Sequence, residues 1–202
     1  MTKRLFDLVL SLIALLMLWP VLVVIAFLIR MSSPGAALFT QTRAGQHGKP
    51  FTIYKFRTMR IEAEPYGASP KSGDDPRLTR MGQWLRETSL DELPQLFNVV
   101  RGDMSLVGPR PLYVSQMAEW NERQIERLNV KPGLTGLAQT SGRGELTVEQ
   151  KLELDVQYTK TQSWLVDLQL LWRTVSQVFG RHSIYEARYS ASQVTRGVNR
   201  HE

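Results

Sequence analysis

From Leu8 to Ile29 every position is apolar except Ser11, and Trp19 and Pro20 sit near the middle of the run. Wound as a straight α-helix, these 22 residues would reach about 33 Å, enough to cross a bilayer core. The run is too long for a signal-peptide core, and no clean A-x-A cleavage site follows it; Gly35-Ala36-Ala37 comes nearest. Pro20 cannot donate a backbone N–H and crowds the preceding turn, which predicts a bend or break there. Lys3 and Arg4 precede the run, while Arg30 and Arg43 follow it, and basic flanks mark the cytoplasmic side. A straight span, a kinked span and a re-entrant helix–break–helix all fit these residues. Re-entrance accommodates both the proline and the two basic flanks.

Beyond residue 30 the pattern changes to short alternating stretches. Ala37–Arg43 and Phe51–Arg57 read as two extended segments joined by a Gly- and Pro-containing loop, a small hairpin. Residues 62–79 combine Gly, Pro, Ser and charge, and read as a surface loop. Helical periodicity returns near 79–88, 92–100, 114–128 and 147–179. Trp120, Trp164 and Trp172 fall on amphipathic stretches, where a tryptophan packs in the core or docks at a membrane interface. From Arg181 onward the chain is a polar tail.

The segment 92–100 opens with two adjacent carboxylates. Ser89-x-x-Glu92 has the spacing of a capping box. In that register, however, Pro94 would be the fifth helical residue, where its absent N–H would be missed. With Asp91 as the cap, Pro94 falls at the third position, whose N–H has no partner in the helix. Leu93, Leu96, Phe97 and Val100 then form an apolar face, and Gly102 ends the helix. Asp91 is therefore expected at a helix N-terminus with Glu92 just inside. Such a position favours an ionised carboxylate and attracts phosphate. Local sequence leaves a plain cap and a reactive carboxylate both open.

Composition narrows the chemistry only partly. The formal net charge is +6, of which Lys3, Arg4, Arg30 and Asp7 supply +2, leaving a modest excess that suits anionic partners. There is no cysteine, which excludes disulfides and thiolate metal sites. His47, His182 and His201 are scattered and give no zinc pattern. No Walker loop and no G-x-G-x-x-G occurs. "LVGPRPL" sets Arg110 between two prolines, a stiff mount for a guanidinium suited to bidentate phosphate binding. "KPGLTGLAQTSGRG" places Lys131 and Arg143 in a glycine-rich loop whose amides could approach an anion. Lys55 and Arg57 end the second extended segment. Converging cations and an acidic pair beside a membrane segment fit Mg²⁺-assisted phosphoryl chemistry. A membrane-anchored scaffold with a purely structural acidic pair is the competing class. A nucleic-acid-binding protein is disfavoured, because no recognised module accompanies the basic charge.

"YKFRTMR", "DPRLTRMGQWLRETSLDELPQLFNVVRGDMSLVGPRPL" and "KPGLTGLAQTSGR", in this order and spacing, closely resemble the bacterial sugar transferase family. These are the monotopic phosphoglycosyl transferases that begin lipid-linked glycan assembly, and the resemblance covers roughly residues 1–180. Larger members carry an N-terminal multi-span region and a nucleotide-binding-like domain; this chain looks like the minimal form. "PGAALF" departs mildly from members with a second proline after the glycine.

The resemblance implies an α+β fold, mostly helical with a small β-hairpin. Residues 1–36 would form a re-entrant membrane helix broken at Pro20, residues 37–180 a catalytic domain with amphipathic interfacial helices, and 181–202 a polar tail. It places the protein at the cytoplasmic face of the bacterial inner membrane, with membrane lipid as a partner and no nucleic acid. It makes Asp91 the nucleophile on the β-phosphorus of a UDP-sugar, expelling UMP and leaving an aspartyl-phosphosugar. Polyprenol phosphate, undecaprenyl phosphate in bacteria, would then take the sugar phosphate. Glu92 would hold Mg²⁺ in part. Arg110 and Arg143 would contact phosphate, with Lys55, Arg57 and Lys131 as further candidates.

Overall fold

A computed structural model describes residues 2–64, 67, 70, 73–142 and 146–179. Helix α1 (Thr2–Ser32) takes up the whole apolar run. The break expected at Pro20 does not occur, because helical structure continues through the proline. Pro20 removes one N–H, the one that would reach the Leu16 carbonyl, and the turns on either side carry the helix across. Its buried stripe is likewise continuous: Asp7, Ser11, Ile25 and Ile29 are buried, and Leu15, Leu18 and Leu22 are half-buried between them. This spacing of three and four residues lays one face of α1 along the rest of the protein. The opposite face exposes Leu16, Met17, Trp19, Val23, Phe27 and Met31.

Strands β1 (Leu38–Ala44) and β2 (Pro50–Phe56) form the expected hairpin, antiparallel, with Leu38 opposite Phe56 and Ala44 opposite Pro50. Helices α2 (Arg80–Glu87) and α3 (Gln95–Arg101) follow. Strands β3 (Ser105–Val107) and β4 (Gly133–Thr135) pair in parallel, Ser105 with Gly133 and Val107 with Thr135. The expected helix at 114–128 is instead a 3₁₀ turn (Val114–Glu119), a short α4 (Glu122–Ile125) and a second 3₁₀ turn (Glu126–Asn129). After α5 (Leu137–Thr140), the stretch 147–179 divides into α6 (Val148–Thr161) and α7 (Trp164–Phe179). The architecture is the expected mostly helical α+β fold with one small hairpin. The expected tail at 181–202 lies outside the described residues.

The main core joins Ile53 of β2, Leu96 and Val99 of α3, Leu106 and Val107 of β3, Tyr158 of α6 and Leu170 of α7; Phe6, Leu15 and Leu18 of α1 pack against it. A second cluster joins Ile25 and Ile29 of α1 to Phe56 and Leu85. Trp120 is buried in a third cluster with Ala44, Leu128 and Leu152. Trp164 and Trp172 are instead exposed, at 43% and 75%, alongside Leu165, Leu168 and Val175. Helix α7 thus turns Asp167 and Leu170 inward and an apolar arc with two tryptophans outward. Trp164 meets the Phe6 ring edge-on at 5.1 Å, so this arc begins where α1 begins.

Asn98, fully buried on α3, acts as a polar staple to the hairpin. Its Oδ1 accepts from the Tyr54 amide at 3.0 Å, and its Nδ2 donates to the Thr52 carbonyl at 2.7 Å. The side chain thereby pairs with β2 as a neighbouring strand would. Asn98→Ala removes the partners of two part-buried backbone groups and should cost about 1–3 kcal/mol. Chemical denaturation of the purified protein measures this directly.

Candidate active site

Three chain segments build the site. Helix α2 ends at Glu87 with Thr88 as its C-cap, and Ser89 adopts the left-handed region (φ 57°, ψ 15°), which reverses the chain. Residues Leu90–Glu92 then form a 3₁₀ turn, with Glu92 N bonded to Ser89 O at 3.3 Å. The helix register therefore differs from expectation. Pro94 itself caps α3, Gln95 is its first residue, and Asp91 lies one turn earlier. Pro94 needs no N–H as a cap, so this register, like the Asp91-capped one, avoids the loss that the Ser89-capped register would carry. Gly102 ends α3 with φ 93°, as expected. The inward residues of α3 are Gln95, Leu96, Asn98 and Val99, whereas Phe97 is 49% exposed.

Lys55, near the end of β2, donates to Glu92 Oε1 at 2.7 Å. Arg110, in the loop after β3, donates to the same oxygen at 2.8 Å. Four of the predicted residues, Asp91, Glu92, Lys55 and Arg110, therefore converge. Arg43 also belongs to this neighbourhood, although its sequence shows only a flanking charge. Its guanidinium lies 3.8 Å from the Tyr113 ring centroid and donates to Gln41 Oε1 at 2.5 Å. Burial lowers the Arg43 pKa; Tyr113 raises it, Arg110 lowers it further, and Glu92 counteracts that.

The two carboxylates titrate apart. Burial pushes Asp91 up to about 6, against the pull of Lys55; the negative charge of Glu92 adds to the rise, and Arg86 and Arg110 oppose it. Burial acts upward on Glu92 too, but the charges and hydrogen bonds of Arg110 and Lys55 outweigh it and hold Glu92 well below the usual carboxylate range. Burial in turn lowers Lys55, against the attraction of Glu92. Glu92 is thus a fixed negative charge, and Asp91 is a carboxyl poised to ionise just below neutrality.

The other predicted residues have different surroundings. Arg57 donates to the Pro34 carbonyl and, at 2.9 Å, to both the carbonyl and the Oγ of Ser33, fastening the chain just after α1. Lys131 lies at the far end of α3, by Gly102 and Arg4. There Arg4 donates to the Val99 and Val100 carbonyls at 2.5 and 2.7 Å. Arg143 lies outside the described residues. Gly108 and Gly133 have amides committed to backbone pairing: Gly108 N bonds Thr135 O and Gly133 N bonds Pro109 O, each at 2.9 Å. A Cβ on Gly133 would stand 2.0 Å from Gly108 N. These two glycines let the loops of Arg110 and Lys131 cross rather than cradle an anion.

Among the described residues no group of three or more His, Asp or Glu side chains converges as a metal cage. The donor set still fits Mg²⁺, which commonly binds through one or two carboxylates together with substrate phosphates. Both cationic contacts to Glu92 fall on Oε1.

An acidic pair of divided pKa, ringed by cations and joined to a long apolar helix, defines a candidate phosphate-handling site in a membrane-suited scaffold. The family model for bacterial sugar transferases matches residues 1–181, and the chain belongs to that family. It is 41% identical over 191 residues to the uncharacterized sugar transferase EpsL of Bacillus subtilis (strain 168), covering 95% of this chain and 94% of that protein. It is 41% identical, over 91% of its length, to the UDP-glucose:undecaprenyl-phosphate glucose-1-phosphate transferase of Escherichia coli (strain K12), of which it spans 41%. The undecaprenyl-phosphate glucose phosphotransferase of Komagataeibacter xylinus is also 41% identical, over 90% of this chain and 36% of that protein. The chain thus spans nearly all of the first relative and less than half of the other two.

Proposed function

We propose that this protein is a phosphoglycosyl transferase moving a sugar 1-phosphate from a UDP-sugar to a polyprenol phosphate through a covalent intermediate on Asp91. The observation that carries this reading is Asp91 itself: a buried carboxyl, pushed up to about 6, beside a Glu92 held by Lys55 and Arg110. A carboxylate nucleophile divides one difficult transfer into two easier ones. In the first step an Asp91 carboxylate oxygen bonds to the β-phosphorus of the donor. The bond from that phosphorus to the bridging oxygen breaks, and UMP leaves with the oxygen. In the second step a phosphate oxygen of the polyprenol phosphate bonds to the same phosphorus, and the Asp91 oxygen departs as carboxylate. Arg110 and Lys55 bind and orient the phosphates, with Arg143 as a further contact. Mg²⁺, held in part by Glu92, would neutralise the diphosphate and assist the leaving group. The names of the Escherichia coli and Komagataeibacter relatives support this donor and acceptor class. Incubation with a UDP-sugar and Mg²⁺, without lipid acceptor, should add the mass of a sugar phosphate to Asp91. An unmodified Asp91 under conditions that release UMP would sink the covalent route.

We further place the protein on the cytoplasmic face of the bacterial inner membrane as a monotopic protein. Helix α1 is long and apolar enough to cross a membrane, with mean hydropathy reaching 3.0. Both of its ends are nevertheless tied to the same folded unit. Lys3 bonds Asp167 at 2.5 Å, and the Asp7 carboxylate accepts from Ser105 Oγ at 2.8 Å; at the other end Arg57 holds Ser33. This double tether favours a monotopic arrangement, with α1 unbroken but bent at Pro20, over a span with its ends on opposite sides. The outer face of α1 and the Trp164–Trp172 arc of α7 supply apolar surface for lipid. Thr2→Cys and Thr40→Cys should both be labelled by an impermeant maleimide only from the cytoplasmic side. Labelling from opposite sides would exclude re-entry.

A further inference from the structure

We propose that Arg127 and Asp155 are positioning residues that set the guanidinium of Arg110 through the Arg110 main chain. Arg127, in the 3₁₀ turn Glu126–Asn129, is 2% exposed. Its Nη2 donates to Asp155 Oδ2 at 2.6 Å and to the Arg110 carbonyl at 2.6 Å, and its Nε reaches the same Asp155 oxygen at 3.1 Å. Its guanidinium carbon lies 4.9 Å from the Trp120 ring centroid. One buried fork thus joins α6 to the backbone of a residue whose side chain bonds Glu92.

The mechanics follow from the two prolines. Pro109 and Pro111 have fixed φ, and Pro111 restricts Arg110 to extended conformations. The main remaining freedom is rotation of the peptide between Arg110 and Pro111, and that peptide's oxygen is the atom Arg127 holds. Fixing it fixes the direction in which the Arg110 side chain leaves the backbone. Stability alone is a poor reason for such a pair, since buried ion pairs gain little over apolar replacements. Asp155 also interacts with the Arg110 backbone amide, so the pair faces the main chain of that residue from both partners. The bond to the Arg110 carbonyl gives the pair a positional use.

The inference rests on the reading of Arg110 as a phosphate contact, and a double-mutant cycle with a chemical probe separates the two. Arg127→Lys keeps the charge but loses the fork, and Asp155→Asn keeps the volume if the first variant folds poorly. Either should lower kcat/KM for UMP release by about 10- to 100-fold, as misplacement of a site group does. In an Arg110→Ala background the same changes should cost less than about two-fold, the signature of residues acting through one another. Independently of turnover, phenylglyoxal modification of Arg110, followed by peptide mass spectrometry, should speed up several-fold once its guanidinium leaves Glu92. Unchanged modification of Arg110, or fully additive losses, would overturn the positioning role. A parent protein that releases no UMP from any UDP-sugar would instead remove the transferase reading, while the modification rate still decides the position of Arg110.

Discussion

Asp91→Asn should lose at least about 10³-fold in UMP release, as removal of a nucleophile does, and should unfold at a higher temperature than the parent. Both effects come from the same burial. Asp91 is 8% exposed and its carboxyl is pushed up to about 6, so the fold favours its neutral form. A group with a raised folded-state pKa gives stability that is fully present below its unfolded value and is lost as pH rises through about 6. The shift corresponds to about 3 kcal/mol as an upper bound. Asparagine copies the neutral acid and never ionises. At pH 7.5 the variant should gain about 1–3 kcal/mol, or roughly 2–10 °C in Tm. At pH 4 the two proteins should unfold nearly together. Thermal melts across this range, paired with UMP release, check the prediction. A variant that is inactive yet no more stable at pH 7.5 would show that ionised Asp91 carries no such cost.

Glu92→Gln should lower turnover about 10²-fold at neutral pH and move the acid limb of the pH–rate profile downward. With Asp91 as nucleophile, parent activity should rise as Asp91 ionises, giving a limb near pH 6. The negative charge of Glu92 is one of the influences raising Asp91, whereas Lys55 and Arg110 lower it. Glutamine removes the first and releases both cations from their shared Oε1 contact. Each change stabilises Asp91 carboxylate, so its pKa falls and the limb shifts to lower pH. Profiles of kcat/KM at fixed Mg²⁺ test this. An unmoved limb would mean that Asp91 and Glu92 are not electrostatically coupled as their positions require.

Much of this molecule is legible along the chain. The apolar run of α1, the hairpin and the helix terminator Gly102 follow from local periodicity and backbone preference. The acidic pair stands out once Pro94 is taken into account. Even there, burial chose the register: α3 turns Asn98 and Val99 inward and leaves Phe97 half-exposed, because Asn98 finds two backbone partners on β2. Pro20 shows the converse. A proline breaks an isolated helix more readily than one whose neighbouring turns share a continuous packed face, as Leu15 to Ile29 do here.

What the chain order does not reveal is which cations meet. Lys55 and Arg57 stand two residues apart, yet one bonds Glu92 and the other the backbone after α1. Lys131 resembles Arg110 as a loop cation, but parallel pairing of β3 and β4 leaves it beside Gly102 and Arg4. Arg127 and Asp155 carry no signal beyond ordinary helical polarity. Local sequence determines elements because periodicity and backbone geometry act over a few residues. Charge and pKa depend on burial and on neighbours brought in from far along the chain. Asp91 is therefore visible as a carboxylate in the sequence, and only folding makes it a carboxyl that ionises near pH 6.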